Sequence, residues 1–159
     1  MQIIKSLKPF NENIAIAIGF FDGVHLAHQK VIAECVKYSK ANNLKSAVLT
    51  FKDHPCVTIW NKKPEYINSL EQRLQSINSL GVDYVFLLDF NKELCNTTAE
   101  SFIEVLMNSI KPKAIFTGYN FSFGKNKAGT PELLKKYSLI SHYEYISIPE
   151  QKINNTSIS

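Results

Sequence analysis

The residue types best suited to chemistry lie in one short run, Gly19-Phe20-Phe21-Asp22-Gly23-Val24-His25-Leu26-Ala27-His28. Its two imidazoles, His25 and His28, are three residues apart, a spacing that places two side chains on one face of a helix. A helix N-terminus offers unpaired N–H groups and the positive end of the helix dipole, which favour an anion such as phosphate. Because imidazole adds a hydrogen-bond donor, the run predicts a site that stabilises a phosphate whose charge is changing.

The segments around this run predict the elements that position the histidines. The apolar segment Ile14–Ile18 precedes the glycine-bearing turn and is typical of a buried strand. The segment 29–39 follows the turn and carries apolar residues at the spacing of one helix face. Further strand-like runs at 46–50, 84–88, 114–117 and 143–148 alternate with helical patterns. This order predicts an α/β fold, a Rossmann-like parallel sheet of about five strands with helices on both faces.

Capping patterns mark where several helices should begin. Ser69 and Thr97 each stand three residues before Gln or Glu, which is the capping-box spacing. Thr130 is followed by Pro131, a residue favoured in the first helical position. Asp22 is expected either to cap the helix that carries the histidines or to orient His25, and capping is the favoured role. In a parallel sheet ligands bind beyond the carboxyl ends of the strands, and the motifs after strands 14–18, 46–50 and 114–117 fall at such ends.

Four stretches of the chain resemble one protein family, in the same order along the chain. The run ending at His28 is similar to the HxGH signature of nucleotidyltransferases, and the stretches 50–55, 81–85 and 118–125, with Gly129 beyond, agree with the same family. The resemblance is to the FMN adenylyltransferase (FAD synthetase) domain of bacterial bifunctional riboflavin kinase/FAD synthetases. It implies a nucleotidyltransferase fold and a single domain over residues 1–159, without the riboflavin kinase domain.

The resemblance implies transfer of AMP from ATP to FMN, giving FAD and pyrophosphate, with Mg²⁺ accompanying ATP and no metal site of the protein's own. It implies that His25 and His28 are catalytic and contact the ATP phosphates. Phe121 and Phe123 could stack on the flavin, and alternate aromatic residues after a strand are equally typical of a core. The residues implied to bind nucleotide are Gly19, Phe20, Phe21, Gly23, Gly118, Lys125, Lys127 and Thr156, and those implied to bind flavin are His54, Pro55, Asn120, Phe121 and Phe123.

The chain also departs from the family pattern. Ala27 stands where the signature has glycine, which adds a methyl group at a crowded position. The family run I-S-S-T-x-I-R corresponds here to residues 153–159: Thr156 is retained, Asn154 and Asn155 replace the serines, and Ser159 replaces the arginine. These changes predict weaker phosphate contacts. They leave open a flavin- or nucleotide-binding protein with weak or lost turnover, and a related nucleotidyltransferase acting on another acceptor.

Composition limits the classes of partner. The net charge is +4 and no dense basic run with interleaved aromatics appears, which disfavours nucleic acid and fits small anionic substrates. No apolar run reaches the ~20 residues that cross a bilayer, so no membrane partner is expected. Three scattered cysteines form no CxxC pair, which indicates a reducing compartment and a cytoplasmic protein. A separate riboflavin kinase is expected to supply FMN.

Overall fold

The computed structural model describes residues 1–54 and 65–158, and in it six strands form one parallel sheet. Their order across the sheet is β1-β4-β3-β2-β5-β6. The strands are β1 (Gln2–Ile4), β2 (Ile14–Ile18), β3 (Lys45–Phe51), β4 (Tyr84–Leu88), β5 (Ala114–Gly118) and β6 (Glu144–Ile148). The five predicted strands are confirmed. The sixth, β1, is a three-residue edge strand on β4, and two of its residues are exposed, so it lacks the apolar pattern of the others.

Helices cover both faces of this sheet, as predicted. They are α1 (Leu26–Ala41), α2 (Leu70–Ser79), α3 (Lys92–Asn96), α4 (Ala99–Ser109) and α5 (Pro131–Ser141). Strand β2 is buried at every position, and its alternate residues enter two separate cores. Ile16 packs in the core that includes Phe102 of α4, whereas Ala17 packs in the core that includes Ile32 of α1. Burial on both faces explains why this strand reads as a continuous apolar run.

Of the helix starts predicted at Ser69, Thr97 and Thr130, two are correct and one is wrong. The Ser69 hydroxyl accepts from the Gln72 N–H, and the Gln72 side chain accepts from the Ser69 N–H, so α2 begins with a capping box. The Thr130 hydroxyl likewise caps α5. Helix α4, however, is capped by Thr98 rather than Thr97. The short helix α3 ends at Thr97, whose hydroxyl donates to a carbonyl of that helix, so the next helix can begin only one residue later.

The chain order places a crevice beside β2. The chain runs from β2 outward through β3 to β4 and then returns to the other side of β2, where β5 and β6 follow. Strand order therefore reverses between β2 and β5. Loops leaving these two neighbouring strands diverge to opposite faces, and ligands of such sheets bind in the opening between them.

The end of the described chain is a small antiparallel hairpin that the sequence pattern did not predict. Its strands are β7 (Gln151–Ile153) and β8 (Thr156–Ile158), joined by Asn154 and Asn155. Both asparagines have left-handed backbone angles, φ 49° and φ 64°, which is the geometry of a two-residue type I′ turn. Asparagine tolerates that geometry better than serine, so the asparagine pair suits the turn.

None of the helices in residues 1–54 and 65–158 is both long enough and apolar enough to span a membrane.

Candidate active site

A cavity of about 850 Å³ opens at the carboxyl ends of the strands, across the point where strand order reverses. Its volume is within the range of about 300–1,000 Å³ usual for small-molecule sites. Loops leaving β2, β3, β4 and β5 all contribute to its walls, and Gln151 and Ile158 of the hairpin close one side.

The turn between β2 and α1 aims the two histidines into this cavity. Phe21, Gly23 and Val24 all have left-handed backbone angles, φ 59°, 73° and 40°, so the chain reverses within four residues. Such angles are costly for a β-branched residue like Val24 and persist only where packing holds them. The buried ring of Phe21 packs under Gly19, where an added Cβ would lie 2.9 Å from the ring. A side chain at position 19 would therefore have to displace the buried Phe21 ring.

The imidazoles of His25 and His28 are stacked at the start of α1. Their ring centroids are 3.6 Å apart with an interplanar angle of 21°, and the Phe21 ring meets His28 edge-on at 5.4 Å. Both rings line the cavity, as the spacing predicted. Within the described residues, the Nδ1 atoms of both rings are buried without a hydrogen-bond partner. Buried polar atoms are normally paired, so these atoms indicate where a ligand would bind.

Burial, and secondarily the neighbouring His25, lowers the pKa of His28 from 6.5 to about 4, against the opposing effect of Asp22. Desolvation disfavours the charged ring, and a second imidazolium at stacking distance disfavours it further. The His28 ring is therefore neutral at pH 7. A neutral imidazole still donates one hydrogen bond to a phosphate oxygen.

The expectation that Asp22 caps α1 is wrong. The helix begins after His25, and no side chain caps its first N–H groups. The Asp22 carboxylate instead accepts from the backbone N–H of Ile67 at 3.2 Å and of Asn68 at 3.5 Å. The turn places three residues between Asp22 and the helix, so its side chain cannot reach the helix. The consequence is that the N–H groups at the start of α1 are left for an anion.

The loop after β5 forms a second wall of the cavity and is held by two glycines. Gly124 has φ 75°, and a Cβ there would lie 2.7 Å from the backbone of Ala99 at the start of α4. A Cβ on Gly129 would lie 2.6 Å from the Phe123 ring. Phe123 is buried in the core, and Phe121 stacks on it at 5.5 Å with an interplanar angle of 15°. Of the two readings left open for these rings, the structure places Phe123 in the core behind Phe121.

The third wall comes from the loops after β3 and β4. His54 meets the Phe20 ring edge-on at 4.7 Å, and Phe51 meets Phe90 edge-on at 5.4 Å. Residues 94–97, from α3 and its end, also line this wall. The sequence reasoning missed this segment. A signal was available, because Phe90 follows the carboxyl end of β4 just as the recognised motifs follow the other strands.

The structure brings most of the predicted site residues together. Those lining the cavity are Gly19, Phe20, Phe21, His25, His28, His54, Gly118, Asn120, Phe121, Phe123, Lys125 and Lys127. Gly23 is not among them; it supports the turn, and a Cβ there would meet Ile67 at 3.1 Å. Thr156 is exposed on the hairpin and does not line the cavity either. Pro55 lies outside the described residues.

The cavity lining, taken over the described ranges, contains no aspartate or glutamate. In the same ranges no group of three histidine, cysteine, aspartate or glutamate side chains is placed to hold a metal ion. Magnesium prefers oxygen ligands and is usually bound by one or two carboxylates together with substrate phosphates. These residues do not by themselves form a magnesium site.

Comparison with known proteins gives consistent results over nearly the whole chain. A family model described as FAD synthetase matches residues 7–159. A curated protein of Buchnera aphidicola subsp. Schizaphis graminum, described as a bifunctional riboflavin kinase/FMN adenylyltransferase, is 32% identical and aligns with 98% of this chain and 52% of its own length. The chain thus spans about half the length of the curated relatives it matches.

Two solved structures share the fold. A structure described as a macrolide-efflux protein from Streptococcus pneumoniae superposes with a TM-score of 0.85 at 25% identity, covering 99% of this chain and 54% of its own. A pantoate-beta-alanine ligase from Francisella tularensis superposes with a TM-score of 0.66 at 16% identity, covering 100% of this chain and 71% of its own. The second likeness concerns the fold alone.

Proposed function

The chain belongs to the FAD synthetase family, and we propose on that basis that it transfers AMP from ATP to FMN, forming FAD and releasing pyrophosphate. The observation that carries the proposal is the stacked pair of His25 and His28 at the uncapped start of α1, inside a cavity with aromatic walls.

The reaction asks the protein mainly to position two phosphates and to stabilise charge. A phosphate oxygen of FMN attacks the α-phosphorus of ATP, a new O–P bond forms, and the bond to the pyrophosphate oxygen breaks. Positioning two reactants in this way can supply several kcal/mol of the barrier. The rings of His25 and His28 donate to the ATP phosphates as negative charge shifts to the leaving group. The free N–H groups at the start of α1 also favour binding of the phosphates.

The residues that line the cavity suit the two substrates. The exposed lysines Lys125 and Lys127 border the cavity on the loop after β5, and we assign them to the triphosphate. The aromatic walls suit the flavin ring, and Phe121 offers an open face because Phe123 fixes it from behind. Asn120, with both a donor and an acceptor, and His54 are assigned to the flavin edge and phosphate. Gly118 and Gly19 allow the backbone close to the nucleotide.

We treat Mg²⁺ as part of the ATP substrate. Since the lining lacks carboxylates, the ion would enter on the phosphates that already bind it. FMN would come from a riboflavin kinase activity carried outside these 159 residues. The thiols of Cys35 and Cys95 are free, which fits a reducing compartment, so we place the reaction in the cytoplasm.

The test is FAD formation from MgATP and FMN by the purified protein, followed by chromatography. We expect turnover by the wild type. In H25A and in H28A we expect kcat to fall by roughly 10²–10³-fold, the usual effect of removing one preorganised donor. His142 is exposed at the C-terminal end of α5 and is not among the residues that line the cavity, so H142A is the matched histidine control. Wild-type protein that makes no FAD above background contradicts the proposal.

A second candidate is a flavin- or nucleotide-binding protein with weak or lost turnover. It is favoured by Thr156, which the hairpin carries on its exposed surface rather than in the cavity. Ala27, which lines the cavity in place of the family glycine, adds to it. Calorimetry with FMN and with a non-hydrolysable ATP analogue separates the two candidates, because tight binding without FAD formation supports only the second.

A further inference from the structure

Arg73 is the only arginine of the chain, and it is buried. It lies on α2 with a relative exposure of 2%. Charged side chains are almost never fully buried unless they are paired. Across residues 1–54 and 65–158, however, no carboxylate lies within ion-pair distance of its guanidinium. The carboxylates of Asp22 and Asp53 act on it only from beyond ion-pair distance, so its burial requires a further explanation.

The guanidinium binds backbone carbonyls of two different loops. Its Nη1 donates to the carbonyl oxygen of Phe20 at 3.2 Å, and its Nη2 donates to those of Phe51 at 2.7 Å and Lys52 at 3.1 Å. The guanidinium carbon also lies 4.4 Å from the centre of the Phe20 ring. The Thr50 hydroxyl donates to the same Phe20 carbonyl at 2.8 Å. Arg73 therefore ties the loop leaving β2 to the loop leaving β3.

These two loops carry two walls of the proposed site. The loop after β2 leads from Phe20 through the left-handed turn to His25 and His28. The loop after β3 leads from Lys52 to His54. The His54 ring contacts the Phe20 ring, and the His54 backbone N–H donates to the Tyr66 hydroxyl. The planar fork of a guanidinium holds such acceptors at fixed separation, which a lysine ammonium does less well.

We propose that Arg73 is a positioning residue that fixes the distance between the histidine loop and the His54 loop, and so the alignment of the two substrates. This inference rests on the proposed function for its kinetic readout. Small displacements of reacting groups reduce the rate strongly, so the loss of Arg73 should lower kcat more than it weakens ATP binding.

The test compares R73M, which removes the charge and all donors, with R73K, which keeps the charge without the fork. K136M removes a positive charge from an exposed position on α5 and is the control for charge alone. We expect kcat/KM to fall about 10- to 100-fold in R73M, mostly through kcat, and by a smaller factor in R73K. K136M should resemble the wild type. A folded R73M with unchanged kcat and KM values would overturn the proposal.

Two further measurements keep the inference testable. If R73M does not fold, the kinetics of R73K test the proposal. An unchanged kcat in R73K overturns it, and a reduced kcat with a near-wild-type melting temperature supports it. If the wild type makes no FAD, the proposed function fails while Arg73 is still tested by NMR of the histidine ring protons. A purely structural role would leave the signals of His25, His28 and His54 unchanged in R73K, whereas positioning requires them to shift.

Discussion

The neutral state of His28 predicts a specific dependence of stability on pH. Its pKa falls from 6.5 to about 4 in the folded protein, chiefly because of burial. Between these values the unfolded chain binds a proton that the folded chain does not, so stability must fall as the pH falls from about 6.5 towards 4. From pH 6.5 to pH 5, a shift of this full size would lower the free energy of unfolding by about 2 kcal/mol. The ring keeps some solvent contact, which reduces the effect, so we expect about 1 kcal/mol.

The measurement is urea unfolding of the wild type and H28N at pH 7 and pH 5. Asparagine keeps a polar side chain of similar reach and does not titrate. The free energy of unfolding should fall by about 1 kcal/mol more in the wild type than in H28N over this interval. H142N, which removes an exposed histidine, should follow the wild type. Equal pH dependence of the wild type and H28N would refute the reasoning, because it would mean that His28 binds its proton equally well in both states.

Two substitutions test the loop geometry around the cavity. G124A should destabilise the protein by about 2 kcal/mol or more in urea unfolding. The reason is that an alanine at φ 75° is strained and its Cβ would lie 2.7 Å from the Ala99 backbone. A stability equal to that of the wild type would contradict this packing. T98A should cost about 1 kcal/mol through loss of the cap of α4. T97A should cost less, and the reverse order would contradict the assigned cap.

The buried strands could be predicted because a strand that is buried on both faces appears in the sequence as a continuous apolar run. Every residue of Ile14–Ile18 is buried, and such a run cannot be a surface loop. The short helix α3 gave no such signal, since none of its residues is buried and apolar periodicity is therefore absent. Its presence also displaced the predicted cap from Thr97 to Thr98. Elements that contribute little to the core are those that apolar patterns miss.

In the site too, features set by neighbouring residues could be predicted, whereas those set by residues distant along the chain could not. The stacking of His25 and His28 follows from their spacing and the turn before them, and both are local. The role of Asp22 depends on Ile67 and Asn68, which are over forty positions away along the chain, so local capping rules gave the wrong answer. Arg73 is the extreme case: a lone arginine in a helix is expected to be exposed, and nothing near it in sequence indicates the two loops that it joins.

The charges around the cavity fit the phosphate site that we propose. The rings of His25 and His28, the uncapped start of α1 and the lysines Lys125 and Lys127 lie at the cavity, whereas the Arg73 guanidinium binds carbonyls of the loops after β2 and β3. An interaction that is equally strong in bound ATP and in the transition state lowers KM without raising kcat, so the useful donors are those that strengthen as charge shifts. Neutral donors held by buried packing strengthen as charge moves onto the leaving group. The low pKa of His28 is therefore consistent with a phosphate site, because burial that keeps the ring neutral also holds its donor rigid.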